Sequence, residues 1–289
     1  MLRTAALITA LALPLGALDQ TRPVQLEASD CSQVNMMFGD YEVGYAVQHT
    51  RIPVTNAPLE VRPDANGGVR IERGAGGEYA ITACIGAGAR SRAEAQAAAD
   101  SVKLEVSGNR VRVSGIQDRA VRSWSVQLIV LAPDGASIDA ETTNGPIGVN
   151  SLAGTFALRA SNGPISLSGV DGEVRARASN GPINVDGGRG TFDVETANGP
   201  IGVRLTGRRW DGSLTARASN GPLTVSLPAG YQTGVEISSG AHSPWSCRAS
   251  ACRDGSRDWD DRSRMLRLGS DPVTVRLSTV NGPVTINER

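Results

Sequence analysis

The tripeptide Asn-Gly-Pro followed by an aliphatic residue occurs six times, and its spacing constrains this 289-residue chain more than any other feature. The copies begin at Asn144, Asn162, Asn180, Asn198, Asn220 and Asn281, and the first four are 18 residues apart. Each leads into a period-two pattern, as in Ile147/Val149, Ile165/Leu167, Ile183/Val185 and Ile201/Val203. Before each copy, small or apolar residues alternate in the same way, as in Phe156/Leu158/Ala160 and Val174/Ala176/Ala178. Period two on both sides of a corner predicts two short strands per unit, each with one face inward. A unit this thin cannot bury its own apolar face, so units must stack. The expectation is an all-β chain whose second half is a β-solenoid of about 18 residues per rung.

The corner chemistry fits that expectation. Asn and Gly tolerate left-handed backbone angles, and Pro suits the first residue of a strand because it cannot donate to a ladder. Gly154, Gly172, Gly190 and Gly212 mark a second corner, and four extra residues near Arg208 and Arg209 suggest a bulge. Stacked strands lie about 4.8 Å apart, so like positions form columns. The six repeat asparagines then align as an amide ladder. Three positions before them runs an outward column of Glu141, Arg159, Arg177, Glu195 and Arg217. It is readable as a solubilising ion-pair ladder or, through Arg159, Arg177 and Arg217, as a candidate interaction face.

Around the repeat the pattern is less regular. Val69–Ile71 and Tyr79–Ala83 flank a glycine-rich turn and read as a hairpin. Ser91-Arg-Ala-Glu94 forms a capping box that opens a helix over 91–102. Leu104–Val106 and Val111–Val113 read as a second hairpin, and Trp124–Leu131 as a more continuously apolar strand. Tyr231–Ile237 offers one further rung, a polar loop follows over 242–264, and the sixth motif is expected to close the stack. The division is therefore a leader over 1–19, an N-terminal β region with one short helix over 20–105, and the solenoid over 106–289.

Arg3 followed by the small and apolar run Ala5–Leu13 and the breakers Pro14 and Gly16 predicts a secretory signal, hence a periplasmic or secreted chain. In that compartment four cysteines predict two disulfides. Cys247 and Cys252 pair most simply with each other, which leaves Cys31 with Cys84. A four-cysteine zinc site lacks paired C-x2-C spacing. A net charge of +0 implies no nucleic-acid partner. No catalytic, cofactor or metal residues are assigned. His49 and His242 stand in unrelated contexts, and Asp254, Asp258, Asp260 and Asp261 alternate with arginines rather than in calcium-loop spacing.

An N-terminal strand region, a strand ending in Pro133-Asp-Gly135, and repeated apolar-x-apolar-x-x-Asn-Gly-x-apolar units resemble the adhesin-like β-strand-repeat proteins of unknown function, relatives of autotransporter adhesin head domains. The resemblance runs from about Val102 to Asn287 and rests on Asn144-Gly145 through Asn281-Gly282. It implies a β-helix-like fold, right-handed, in an exported bacterial protein, and supplies no catalytic residues. The expected role is a non-enzymatic, monomeric envelope interaction or scaffold module with a protein or glycan partner and no cofactor. A carbohydrate-active enzyme, lyase or hydrolase, on a β-helix is the alternative, with a ligand-free spacer as a third reading.

Overall fold

The computed structural model describes residues 31–63, 66–115, 123–240, 244–252, 258–260 and 264–289. The expected leader, His242, Asp254, Asp261 and much of the 242–264 loop lie outside them. The N-terminal elements are β1 (Glu42–Pro53), β2 (Leu59–Arg62), β3 (Gly67–Arg73), β4 (Glu78–Ala89), α1 (Arg92–Ser101), β5 (Lys103–Ser107), β6 (Arg110–Ser114) and β7 (Ser123–Ala132). The repeat supplies β8 (Ala136–Thr142), β9 (Ile147–Asn150), β10 (Ala153–Ala160), β11 (Ile165–Ser168), β12 (Asp171–Asn180), β13 (Ile183–Asp186), β14 (Arg189–Asn198), β15 (Ile201–Arg204), β16 (Gly212–Asn220) and β17 (Leu223–Leu227). The chain ends with β18 (Gly234–Ser239), β19 (Trp245–Cys247), β20 (Asp258–Asp260), β21 (Met265–Leu268), β22 (Val273–Asn281) and β23 (Val284–Glu288).

These strands form two sheets, and the Asn-Gly-Pro corners carry the chain from one to the other. The short-strand sheet runs β1-β4-β7-β3-β9-β11-β13-β15-β17-β23-β19. The long-strand sheet runs β20-β21-β18-β22-β16-β14-β12-β10-β8-β2-β6-β5. Neither closes on itself. Within the repeat every pairing is parallel and in register, so Phe156 lies beside Val174 and Val174 beside Phe192. Inward residues of both sheets share one buried apolar cluster, in which Phe192 and Trp210 meet edge to face at 5.2 Å. Buried Thr142, Thr196 and Thr279 donate their hydroxyls to the carbonyls of Gly145, Gly181 and Gly221 at 2.8–2.9 Å. The polar atoms at these inward positions are therefore satisfied.

The corner glycines are required for a reason other than left-handed backbone. Neither the repeat asparagines nor their glycines have positive φ. Instead, a Cβ at Gly163, Gly181, Gly199, Gly221 or Gly282 would overlap the carbonyl oxygen of the stacked glycine below it. The second column, Gly154 through Gly212, is equally tight, with positive φ added from Gly172 onward. Glycine here permits one backbone to lie directly on the next.

The flanks depart from the expected order. The segments 69–71 and 79–83 are not a hairpin, because β7 lies between β3 and β4, parallel to the first and antiparallel to the second. Its apolar core, Val126, Leu128, Ile129 and Val130, is fully buried, which suits a central strand better than an edge. The β5–β6 hairpin is present. So is α1, with Ser91 and Glu94 exchanging the capping-box bonds. Its Ala95, Ala98 and Ala99 pack onto β1, where Gly44 leaves room for the helix backbone.

Two strand pairs sit out of chain order. The pair β2–β3 lies between β6–β7 and β8–β9, and β22–β23 lies between β16–β17 and β18–β19. The sixth motif therefore does not close the stack. β18 and β19 cover it from outside, β18 parallel to β22 and β19 parallel to β23.

Candidate functional site

The repeat corners build the first feature. Asn162 donates its side-chain amide to Asn144, Asn180 to Asn162, Asn198 to Asn180, Asn220 to Asn198 and Asn281 to Asn220, all at 2.9–3.1 Å. Asn144 extends the ladder to Asn66 at 3.3 Å. Asn66-Gly67 is thus a seventh corner that the sequence reading missed. Its signal was Asn-Gly followed by alternating Val69 and Ile71, without the proline. Register offsets show why it was hidden: Ile138 lies 79 residues after its partner Leu59, but Ile147 lies 78 after Val69. One extra residue separates β2 from its corner.

The outward face of the long-strand sheet holds the second feature, two copies of one charge cluster. In each, a D-x-E strand lies between two arginines. Arg62 reaches the Asp139 carboxylate at 3.0 Å, the Asp139 carbonyl at 2.6 Å and Glu141 at 3.4 Å, while Arg159 reaches Asp139 from the other side at 2.9 Å. Arg177 repeats this on Asp193 at 2.6 Å, its carbonyl at 2.9 Å and Glu195 at 3.3 Å, with Arg217 on Asp193 at 2.9 Å. Arg62 was not singled out in the sequence because it lies outside the recognised repeat. Partial burial pushes the Asp193 carboxyl up, but hydrogen bonds and charge from Arg177, joined by Arg217, hold it below the ordinary carboxylate range.

Between the clusters runs a seam of like charge. Arg159 on β10 and Arg177 on β12 are direct register neighbours. Each is drawn to a carboxylate on its far side, Asp139 on β8 or Asp193 on β14. Exposed Arg175, opposite Ala157 and Asp193, adds a third guanidinium and makes no ion pair among the described residues. Arg217 lies beyond β14, outside the seam.

Cysteine placement fits an oxidising compartment. The Cα atoms are 5.6 Å apart for Cys31 and Cys84, and 6.3 Å for Cys247 and Cys252, both within disulfide reach. Ser250, in the shorter loop, bonds Glu288 through its hydroxyl at 2.8 Å and through its backbone N–H. His49 contacts the Thr82 hydroxyl at 3.1 Å on β1, far in sequence from the charge clusters. No helix among the described residues is long and apolar enough to cross a membrane.

Comparison with known proteins yields structural likeness alone. No protein-family model matches the chain, and no curated protein matches it either. Among solved structures, a "putative adhesin" from Parabacteroides distasonis is 12% identical, with 84% of this chain and 97% of that one covered and a TM-score of 0.40. A "putative cell adhesion protein" from Clostridium sporogenes is 10% identical, covering 84% and 100%, with a TM-score of 0.30. A "putative lipid binding protein" from Parabacteroides distasonis is 10% identical, covering 85% and 97%, with a TM-score of 0.36. At these identities and TM-scores, none of them assigns a function to this chain.

Proposed function

We propose that the chain is an exported, non-catalytic interaction module: residues 1–19 direct export, and 106–289 form a β-solenoid whose charged outer face docks an acidic group of an envelope protein or glycan. The observation that carries this reading is the seam of Arg159, Arg175 and Arg177. The guanidiniums of Arg159 and Arg177 are fixed in place by carboxylates on their outer sides, so an incoming anion meets two donors that are already ordered, with Arg175, unpaired among the described residues, beside them. Pre-ordering lowers the entropic cost of docking. Arginine is suited to such a role because its planar fork can hold one carboxylate and still donate to another.

The alternative, a glycan-cleaving enzyme on this face, is less well supported. Asp139 and Asp193 are committed to arginines, and a carboxyl held below its ordinary range is a poor general acid.

The test is crosslinking of the exported protein in cells followed by mass spectrometry, with wild type compared against Arg159/Arg177/Arg217→Ser. A partner captured by wild type and absent from the triple variant is expected. A partner captured equally by both, or turnover of a polysaccharide by the purified protein, refutes the reading.

A further inference from the structure

The two outer faces use their hydrogen-bonding groups differently. On the long-strand sheet the charged groups are largely spent on one another. On the short-strand sheet, β13, β15 and β17 present a grid of outward side chains in register: Asn184, Gly202 and Thr224 in one row, Asp186, Arg204 and Ser226 in the next. Together these residues line a cavity of about 230 Å³. Only Asp186 and Arg204 are paired, at 2.6 Å. The Asn184 amide and the Thr224 and Ser226 hydroxyls have no side-chain partner among the described residues.

Gly202 forms the floor, and packing does not require it there. A Cβ at this position would meet only the far end of the Asn184 side chain, its Oδ1 at 2.7 Å, and φ is not positive. The corner glycines are different, since a Cβ there would strike backbone. In the same column Gly148, two strands before Asn184, has open space around its Cβ position. Glycine inside a strand costs up to about 1 kcal/mol relative to residues with a side chain. At Gly202 that cost keeps a groove open.

We infer that this groove binds a neutral, extended β-linked glycan lying along the stack. Strands about 4.8 Å apart present one amide, hydroxyl or bare-backbone position of each row per step, close to the length of one sugar ring in an extended chain. Short amides and hydroxyls pair with sugar hydroxyls at little side-chain entropy cost. A peptide fits poorly here. No exposed large apolar side chain among the described residues lies on β13, β15 or β17, and their ladder positions are already occupied on both sides by neighbouring strands. The inference gives the proposed interaction role a second face and a ligand class, and it stands independently of the arginine seam.

The test is isothermal titration of the full chain with cellohexaose and with chitohexaose, using maltohexaose and hexagalacturonate as controls. Binding of at least one β-1,4 oligomer is expected. It should weaken at least tenfold in Gly202→Thr, which fills the groove with a good strand former, and stay within twofold of wild type in Arg159/Arg177/Arg217→Ser. Asn184→Ala/Thr224→Val, which keeps the backbone and empties the donors, should weaken it likewise if Gly202→Thr fails to fold. The proposal is overturned if neither β-1,4 oligomer binds, or if binding survives the groove variants. It is also overturned if only hexagalacturonate binds and the arginine triple variant abolishes it, a result that would leave the arginine-face reading intact.

Discussion

Replacing Asn180 by Ala tests whether the amide ladder is a source of stability or merely follows from stacking. Asn180 donates to Asn162 at 3.0 Å and accepts from Asn198 at 3.1 Å, so the substitution removes two bonds. The groups left behind are exposed and regain water, which avoids the full penalty of a buried orphan. Each bond then contributes about 0.5–1 kcal/mol net, and the expected loss is about 1–2 kcal/mol. For a domain of this size that lowers the melting midpoint by about 2–8 °C. Among the described residues Asn281 makes a single ladder bond, to Asn220 at 2.9 Å, so Asn281→Ala should cost about half as much. Both variants are measured by calorimetry and by urea titration, which also reports whether the unfolding slope is unchanged. Equal losses at the two positions, or no loss at Asn180, would refute the ladder as a stabilising element.

Gly181→Ala should cost more than either, about 3 kcal/mol, because its Cβ would overlap the Gly163 carbonyl and force two strands apart; a midpoint within 2 °C of wild type, read by calorimetry with about 2–4 °C per kcal/mol as the scale, contradicts that packing. Asp193 has a folded-state pKa below its ordinary value, so its contribution to stability is complete above about pH 4 and is lost as pH falls towards the folded pKa. Asp193→Asn should therefore lose stability at neutral pH and show a shallower acid limb than wild type in urea titrations from pH 7 downward; parallel limbs would contradict the pairing with Arg177 and Arg217.

Much of the repeat was legible because one feature, the tripeptide, coincided with alternation on both sides. Phe156, Val174, Phe192 and Leu214 fall in one inward column, as the spacing requires. The same logic failed where the signal was local but the partner was not. Val69–Ile71 and Tyr79–Ala83 look like a hairpin because a glycine-rich turn joins them. Burial of Val126 and Leu128–Val130 decides otherwise by placing β7 between them. The charge clusters were half legible: the column of Arg159, Arg177 and Arg217 was visible, but Arg62 joins Asp139 only through a β2–β8 register that no repeat announces. The reason for glycine at the corners was also hidden, since sequence cannot separate a need for positive φ from a need for close approach. The polar groove emerged only from the contrast between Gly202 and Gly181, the same residue type in unlike surroundings.

The out-of-order pairs at the two ends bear on how the molecule can be made. A chain emerging from its N-terminus can pair β8 through β17 as each arrives, but the next layer in space, β22–β23, follows β18–β21 in sequence. Until residues 273–288 are available, the β16–β17 edge has no native neighbour, and β18–β19 can only wait or pair wrongly. A nascent chain therefore carries an unfinished edge for roughly the time needed to synthesise the sixty or so residues between β17 and the end of β23, some 3–12 s at about 5–20 residues per second. That interval is when a second nascent copy could add its own strand there. Any product stopped short of β22 would keep that open edge permanently.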